Sequence, residues 1–155
     1  MNIQYYDPHR ALEIADLFCL AVHNIDNAIY DADQKEVWAP SPPDYDHWID
    51  RLSVKQPFMA IIDDQVAGFI ELDTNGHIDC AYTHPRFQRQ GVASGLYRFL
   101  ENEARKKKLS RLYVEASIIA MPFFKKHGFS LVRENEINRK GVTLVNYTME
   151  KLLAS

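Results

Sequence analysis

Apolar positions along the chain change period several times, and each change marks an element. Ala11, Leu12, Ile14, Ala15, Leu17, Phe18, Ala21 and Val22 fall at helical spacing. Asp7-Pro8 ahead of them offers an N-cap and a first-turn proline, so a helix is expected from Pro8 to about Asn24. Met1 to Tyr6 alternates weakly, as a short strand would. Ile25 to Pro43 has no clear period and ends in Pro40, Pro42 and Pro43; Asp44 then caps a short helix through Trp48 to Leu52. The centre shifts to strands. Phe58–Asp63, Val66–Asp73 and His77–Thr83 are separated by Asp63-Asp64-Gln65 and by Asn75-Gly76, a strong hairpin signal, and read as an antiparallel meander. Polar residues from Pro85 to Gln90 interrupt the pattern. Gly91 opens an amphipathic helix whose buried side is Val92, Leu96, Phe99, Leu100 and Ala104 and whose last turn is Arg105 to Lys108, cations that suit a helix C-terminus. Arg111–Ala116 is a further strand. A short helix from Ile119 to His127 stops at Gly128. Phe129–Ile137 and Val142–Glu150 form a last antiparallel pair around Arg139-Lys140-Gly141. The order β-α-α-β-β-β-α-β-α-β-β describes one α+β domain over residues 1–155.

Composition narrows what such a domain does. Its 155 residues, 46% of them hydrophobic, supply a real core. Eighteen Lys and Arg against 21 Asp and Glu leave a net charge of −3, which argues against nucleic acid as a partner. Two cysteines, Cys19 and Cys80, make no disulfide framework and show no Cys/His metal spacing, so no metal is expected. No stretch approaches the roughly 18 apolar residues of a membrane span, and Met1 to Arg10 does not read as a secretory signal. The expectation is a reduced, cytoplasmic protein with no membrane partner.

The segment that carries chemistry is Thr83-His84-Pro85-Arg86-Phe87-Gln88-Arg89-Gln90-Gly91-Val92-Ala93-Ser94-Gly95-Leu96, a strand leading through a polar loop into a helix N-terminus. Gly91, Ala93 and Gly95 allow a ligand close to the backbone. The first-turn N–H groups lack partners inside the helix and carry partial positive charge, a setting that binds phosphate. No Gly-Lys-Ser/Thr follows and GxGxxG spacing is absent, so neither a Walker loop nor a dinucleotide fingerprint is present.

Gln88-Arg89-Gln90-Gly91-Val92-Ala93 resembles the Q/R-x-x-G-x-G/A signature of the GNAT superfamily of N-acetyltransferases. Ala81-Tyr82-Thr83-His84-Pro85 ahead of it looks like that family's strand end. Ala120-Met121-Pro122-Phe123-Phe124-Lys125-Lys126-His127-Gly128-Phe129 resembles its later A-x-x-F-(Y/F)-x-x-x-G-F segment. The resemblance implies a GNAT-like fold. Its sheet would be mixed and mostly antiparallel, with about seven strands flanked by about four helices and splayed between the fourth and fifth strands. It also implies acetyl-CoA as co-substrate and an amine, small-molecule or peptide, as acceptor, attacked directly in a ternary complex. The coenzyme would meet Ala81, Tyr82, Thr83, Gln88, Arg89, Gln90, Gly91, Val92, Ala93, Ser94, Ser117 and Phe124. A backbone N–H near Tyr82 or Thr83 would polarise the thioester carbonyl.

Proton transfer needs a base and an acid. Strand alternation places His77, Asp79, Ala81 and Thr83 on one side and Cys80 on the other. The resemblance implies an acidic group near this strand that relays the amine's proton, which makes Asp79 the first choice for the base, Glu71 the second and His77 the third. Phe124 stands where many members carry a tyrosine, and it has no proton to give. Tyr147 and Tyr82 are the candidate acids. Tyr30, Trp38 and His77 are candidate acceptor contacts, with Tyr45, His47 and Trp48 forming either a pocket wall or a secondary core. The last strands offer a pairing surface for a homodimer. The alternative to an enzyme is an acetyl-CoA-binding sensor or partner module without turnover.

Overall fold

A computed structural model describes residues 1–154. In chain order its elements are β1 (Asn2–Tyr5), α1 (Ala11–His23), α2 (Ala32–Trp38), α3 (Tyr45–Lys55), β2 (Phe58–Ile62), β3 (Gln65–Leu72), β4 (His77–Thr83), α4 (Val92–Lys106), β5 (Arg111–Ala116), α5 (Met121–Lys126), β6 (Ser130–Arg139) and β7 (Val142–Leu152). The strands form one mixed sheet in the order β1-β2-β3-β4-β5-β7-β6. Every neighbouring pair is antiparallel except β4 and β5.

Local sequence accounts for most boundaries. Asp7 does cap a helical turn, with its carboxylate accepting the His9 N–H, but that turn is a 3-10 segment over Pro8–Arg10 and α1 begins only at Ala11. Asp44 caps α3 by accepting the His47 N–H, and Gln56 ends it in a left-handed conformation. The Asp63-Asp64 turn has positive φ at both residues (51° and 60°), the geometry of a tight hairpin. Five α-helices stand where about four are expected. The additional one, α2, lies in the stretch without a period. It is held by a capping box in which Asp31 accepts the Gln34 N–H and Gln34 Oε1 accepts the Asp31 N–H. Seven residues are too few for an apolar stripe to repeat.

The two faces of the sheet carry separate cores. On one, Ile14 and Leu17 of α1 and Trp48 and Leu52 of α3 pack on Met59 and Phe69. On the other, Leu96, Tyr97 and Leu100 of α4 pack with Ile70, Ile78, Leu112, Phe124 and Met149. Each fully buried leucine contributes roughly 2 kcal/mol. Gly68 of β3 lets the start of α4 come close: a β-carbon there would lie 2.7 Å from Val92 Cγ1 and 3.0 Å from the Tyr82 carbonyl oxygen.

Two irregularities shape the centre of the sheet. The parallel ladder holds β4 and β5 together only at His77–Tyr113 and Ile78–Val114. Beyond that the strands separate into an open V flanked by Ala81–Thr83 on one side and Ala116–Ser117 on the other. The β3–β4 register also shifts, from Ile70–Ala81 to Leu72–Ile78, so that Asp79 and Cys80 together oppose Glu71. This bulge corrects the alternation expected from sequence. Ala81 and Thr83 sit opposite Ile70 and Gly68 on the α4 face, whereas Asp79, Cys80 and Tyr82 all turn to the α3 face. Cys80 therefore shares its side with Asp79 rather than opposing it.

Candidate active site

The loop between β4 and α4 forms an open cradle on one side of the V. Gln88, Arg89, Gln90 and Gly91 are all exposed. Arg89 and Gly91 adopt positive φ (62° and 78°), which turns successive backbone N–H groups outward. A β-carbon at Gly91 would meet nothing within 4 Å. The N–H groups of Val92, Ala93 and Ser94 belong to the first turn of α4, whose first intrahelical bond is Gly95 N–H to the Gly91 carbonyl. Val92 itself is buried, so it can offer a ligand only its backbone. His127, from the end of α5, places Nε2 3.3 Å from Ser94 Oγ. Burial and then the cations Arg98, Lys151 and Lys126 hold its imidazole below the ordinary value. Backbone donors, small residues and open space suit a pyrophosphate-bearing coenzyme.

On the opposite face lies a cavity of about 980 Å³. Its roof is Phe18 of α1, Trp38 of α2 and His47 and Trp48 of α3. Its floor is Asp79, Cys80 and Tyr82 of β4, Tyr113 and Glu115 of β5, Asn146 and Thr148 of β7, and Arg133 and Asn135 of β6. Two hydrogen bonds fasten the roof: Gln34 Nε2 donates to the Thr143 carbonyl at 3.1 Å, and the Ile118 N–H donates to Tyr30 Oη at 3.3 Å. Lys35, almost fully buried in α2, donates from Nζ to the Ile25 carbonyl and to Asn27 Oδ1, fixing the loop that leads to α2. Trp38 Nε1 donates to Tyr82 Oη at 3.0 Å, and Phe18 packs edge-on against the Tyr82 ring.

Charge on the floor is arranged as a chain. Arg51 Nη2 donates to Glu71 at 2.6 Å and to Asp79 at 2.9 Å. Lys55 Nζ lies 2.8 Å from Asp79 and 2.9 Å from Asp73. Burial alone would raise the Asp79 carboxyl; Lys55 and Arg51 outweigh it and hold Asp79 below the usual carboxylate range. Glu71 is fully enclosed, and burial raises its carboxyl despite Arg51. His77 stacks on Tyr113, with Nδ1 3.2 Å from Asp73 Oδ2 and Nε2 2.8 Å from Glu115 Oε1. Asp73, His77 and Asp79 are close enough to share a cation, as are Glu71, Asp79 and Cys80. In both groups a protein cation already stands among the carboxylates, Lys55 in the first and Arg51 in the second.

The structure thus gathers Asp79, Tyr82, Trp38, Tyr30 and Ser117 at the cavity. His77 sits behind Glu115. Glu71 is sealed from the cavity and holds Arg51. Ser117 Oγ accepts the Ala120 N–H, capping the turn into α5. Phe124 is 2% exposed and packs against Phe129 within the core on the α4–α5 face. Tyr147 lies opposite Ala116 on the α4–α5 face, partly buried, away from the cavity lining. Burial and the neighbouring Glu134 raise its phenol. Tyr82 is raised well above the ordinary phenol value, first by burial, so it stays protonated. Arg51, Lys55, Glu115, Arg133 and Asn135 belong to the site but carry no local motif. Only strand register and the placement of α3 bring them there.

A model of the acetyltransferase (GNAT) domain matches residues 28–151. The uncharacterized N-acetyltransferase YafP of Escherichia coli (strain K12) is 32% identical over 149 residues, 96% of this chain and 94% of that protein. The crystal structure of a GCN5-related N-acetyltransferase from Rhodopseudomonas palustris superposes with a TM-score of 0.91 at 30% identity, covering 98% of this chain and 95% of that one. The acetyltransferase yncA of Salmonella typhimurium, solved with its cofactor acetyl-CoA, shares the fold with a TM-score of 0.75 at 15% identity, over 99% of this chain and 94% of that one.

Proposed function

Because the chain belongs to the GNAT acetyltransferase domain family, we propose that it moves the acetyl group of acetyl-CoA to an amine by direct attack in a ternary complex. The observation that carries this reading is the parting of β4 and β5 after two residue pairs, with a cradle of exposed backbone ahead of α4 on one side and a cavity lined by β4 and β5 side chains on the other. Two ligands entering from opposite faces can meet there without a covalent enzyme intermediate.

Acetyl-CoA supplies an activated acyl group on a good leaving group. Backbone N–H groups from Gln88 to Ser94 bind its phosphates. The edge of β4 at Ala81–Thr83, which β5 leaves unpaired, takes the extended arm as an added strand. Glu115 accepts the proton of the incoming amine, directly or through water, and His77 behind it supports that step with Asp73 on its far nitrogen. Asp79, tied to two cations and depressed in basicity, anchors Arg51 and Lys55 instead. Tyr147, on the same face as Phe124, gives a proton to the departing sulfur, a task the Phe124 side chain cannot perform. Tyr82 remains protonated and can donate a hydrogen bond to the acceptor.

The test is release of free thiol from acetyl-CoA across a panel of amines. Turnover with at least one amine is expected. Glu115→Gln should lower kcat by about 10²-fold while leaving acetyl-CoA affinity unchanged, the scale of a lost general base. The missing hydroxyl at Phe124 also favours a second reading, a coenzyme-binding module without turnover. Tight acetyl-CoA binding with no thiol release for any amine would establish that reading in place of the first.

A further inference from the structure

We infer that the acceptor is a small zwitterion, an amine that carries its own carboxylate as a free amino acid does. The inference rests on the acetyl-transfer reading and specifies its substrate class. Glu115 of β5, Thr148 of β7 and Arg133 of β6 are in register across three strands, and all three line the cavity. Neighbouring strands lie about 4.8 Å apart, so the α-carbons of Glu115 and Arg133 are about 10 Å apart. Negative and positive charge thus face the same space from the two ends of a short row. Glu115 contacts an imidazole nitrogen rather than a lysine or arginine among the described residues, which leaves its carboxylate able to receive an ammonium.

Arg133 is prepared for an anion. Its Nε donates to Asn135 Oδ1 at 3.0 Å, and Asn135 is fixed in turn by donating from Nδ2 to Asn146 Oδ1 at 3.0 Å and to Thr148 Oγ1 at 2.7 Å. Among the described residues, the two terminal nitrogens of the guanidinium, the pair that grips a carboxylate, have no hydrogen-bond partner. Among the described residues, no carboxylate lies within ion-pair distance of Arg133. The cavity arginines Arg51 and Arg111 are committed to Glu71, Asp79 and Glu150. Arg139 also lacks a carboxylate partner among the described residues, but it stands at the far end of the hairpin, out of register with Glu115.

The charge and the roof disfavour two competing acceptor classes. A polyamine would set its second cation against Arg133. A lysine on a protein would need an open groove, but Gln34 and Tyr30 fasten the roof to β7 and to the β5–α5 loop. Phe18 and Trp38 offer aromatic surface for an apolar body between the two charged ends.

Thiol release from acetyl-CoA, measured with free amino acids, with their carboxamides and with spermidine, tests this directly. Free amino acids should exceed their carboxamides by about tenfold or more in kcat/KM, the worth of a charge-assisted bidentate contact. Arg133→Ala should raise KM for the free acid about tenfold, leaving its kcat and the KM of the carboxamide unchanged. Arg133 is exposed, so thermal unfolding of the variant should match the parent. Equal or better turnover of carboxamides or spermidine, or an equal effect of Arg133→Ala on acid and carboxamide, would overturn the zwitterion while leaving acetyl transfer intact. No thiol release with any amine, in protein that binds acetyl-CoA, would overturn both.

Discussion

Asp79 and Glu115 both line the cavity, in different electrostatic company. Asp79 is tied to Arg51 and Lys55, which hold its proton affinity down; Glu115 is met by the His77 imidazole and, among the described residues, by no lysine or arginine within ion-pair distance. Strand alternation and the family's acidic group near this strand together rank Asp79 first. Strand alternation then misplaces its neighbours, because the bulge opposite Glu71 arises from β3–β4 pairing and not from any local signal. Glu115, Arg51 and Arg133 were illegible for the same reason: each is an ordinary polar residue until the strand registers bring it to the cavity. The backbone cradle from Gln88 to Ser94 was legible because it depends on local turn and helix-start chemistry. The two tyrosines separate by face. Tyr147→Phe should lower kcat by about 10²-fold with little change in KM for the amine. Tyr82→Phe should instead raise that KM, since Trp38 loses its acceptor and the cavity wall loosens. Steady-state kinetics on both variants checks the assignment, and the reverse pattern would exchange their roles.

At the scale of elements, the proposed coenzyme cradle requires α4 to be held close and at a fixed height, because it uses the first turn of that helix. Gly68 allows the close approach. Gly68→Ala would drive a methyl group into Val92 and the Tyr82 carbonyl, at about 1–3 kcal/mol of lost stability, and should weaken acetyl-CoA binding with it. Denaturant unfolding and titration of the same variant check both effects. The far half of α4 is tied to β7 through Glu101. Burial opposes its ionisation, but hydrogen bonds from Lys151, Tyr97 and Arg105 outweigh that and bring its carboxyl to about 2 from an ordinary 4.5. A depressed carboxylate contributes stability that is fully present above its unfolded value and is lost as pH falls through its folded value. The contribution, no more than about 3 kcal/mol, should therefore fade between about pH 4.5 and about pH 2. Glu101→Gln should be less stable at neutral pH and should lose less stability across that acid range, as thermal unfolding against pH would report. Long elements such as α4 and the β2–β4 meander were legible from periodicity and turns. The seven-residue α2 was not, although it carries Trp38 of the roof, because its capping box is brief and its packing is non-local.

In the molecule as a whole, a four-stranded half-sheet, β1 to β4, and a three-stranded half, β5, β7 and β6, join at two residue pairs and part above them. The two strands part beyond those pairs, with the exposed 88–91 loop ahead of α4 on one face and the cavity on the α1–α3 face. The order of elements and the mixed sheet follow from the pattern of apolar residues and from the two motifs. The charge chain from Arg51 to Glu115 and the row of Glu115, Thr148 and Arg133 emerge only once both halves are assembled. The central claim, that acetyl-CoA enters through the Gln88–Ser94 cradle, is tested most directly by calorimetric titration of the purified protein and of Gly91→Glu, with Gly91→Ala as control. The positive φ at Gly91 strains any side chain, so the alanine variant isolates backbone strain, and the glutamate adds negative charge in the open space beside the cradle. Binding by the parent, modest weakening in Gly91→Ala and loss in Gly91→Glu are the predicted results. Absence of binding by the folded parent, or equal affinity in all three proteins, would contradict the account.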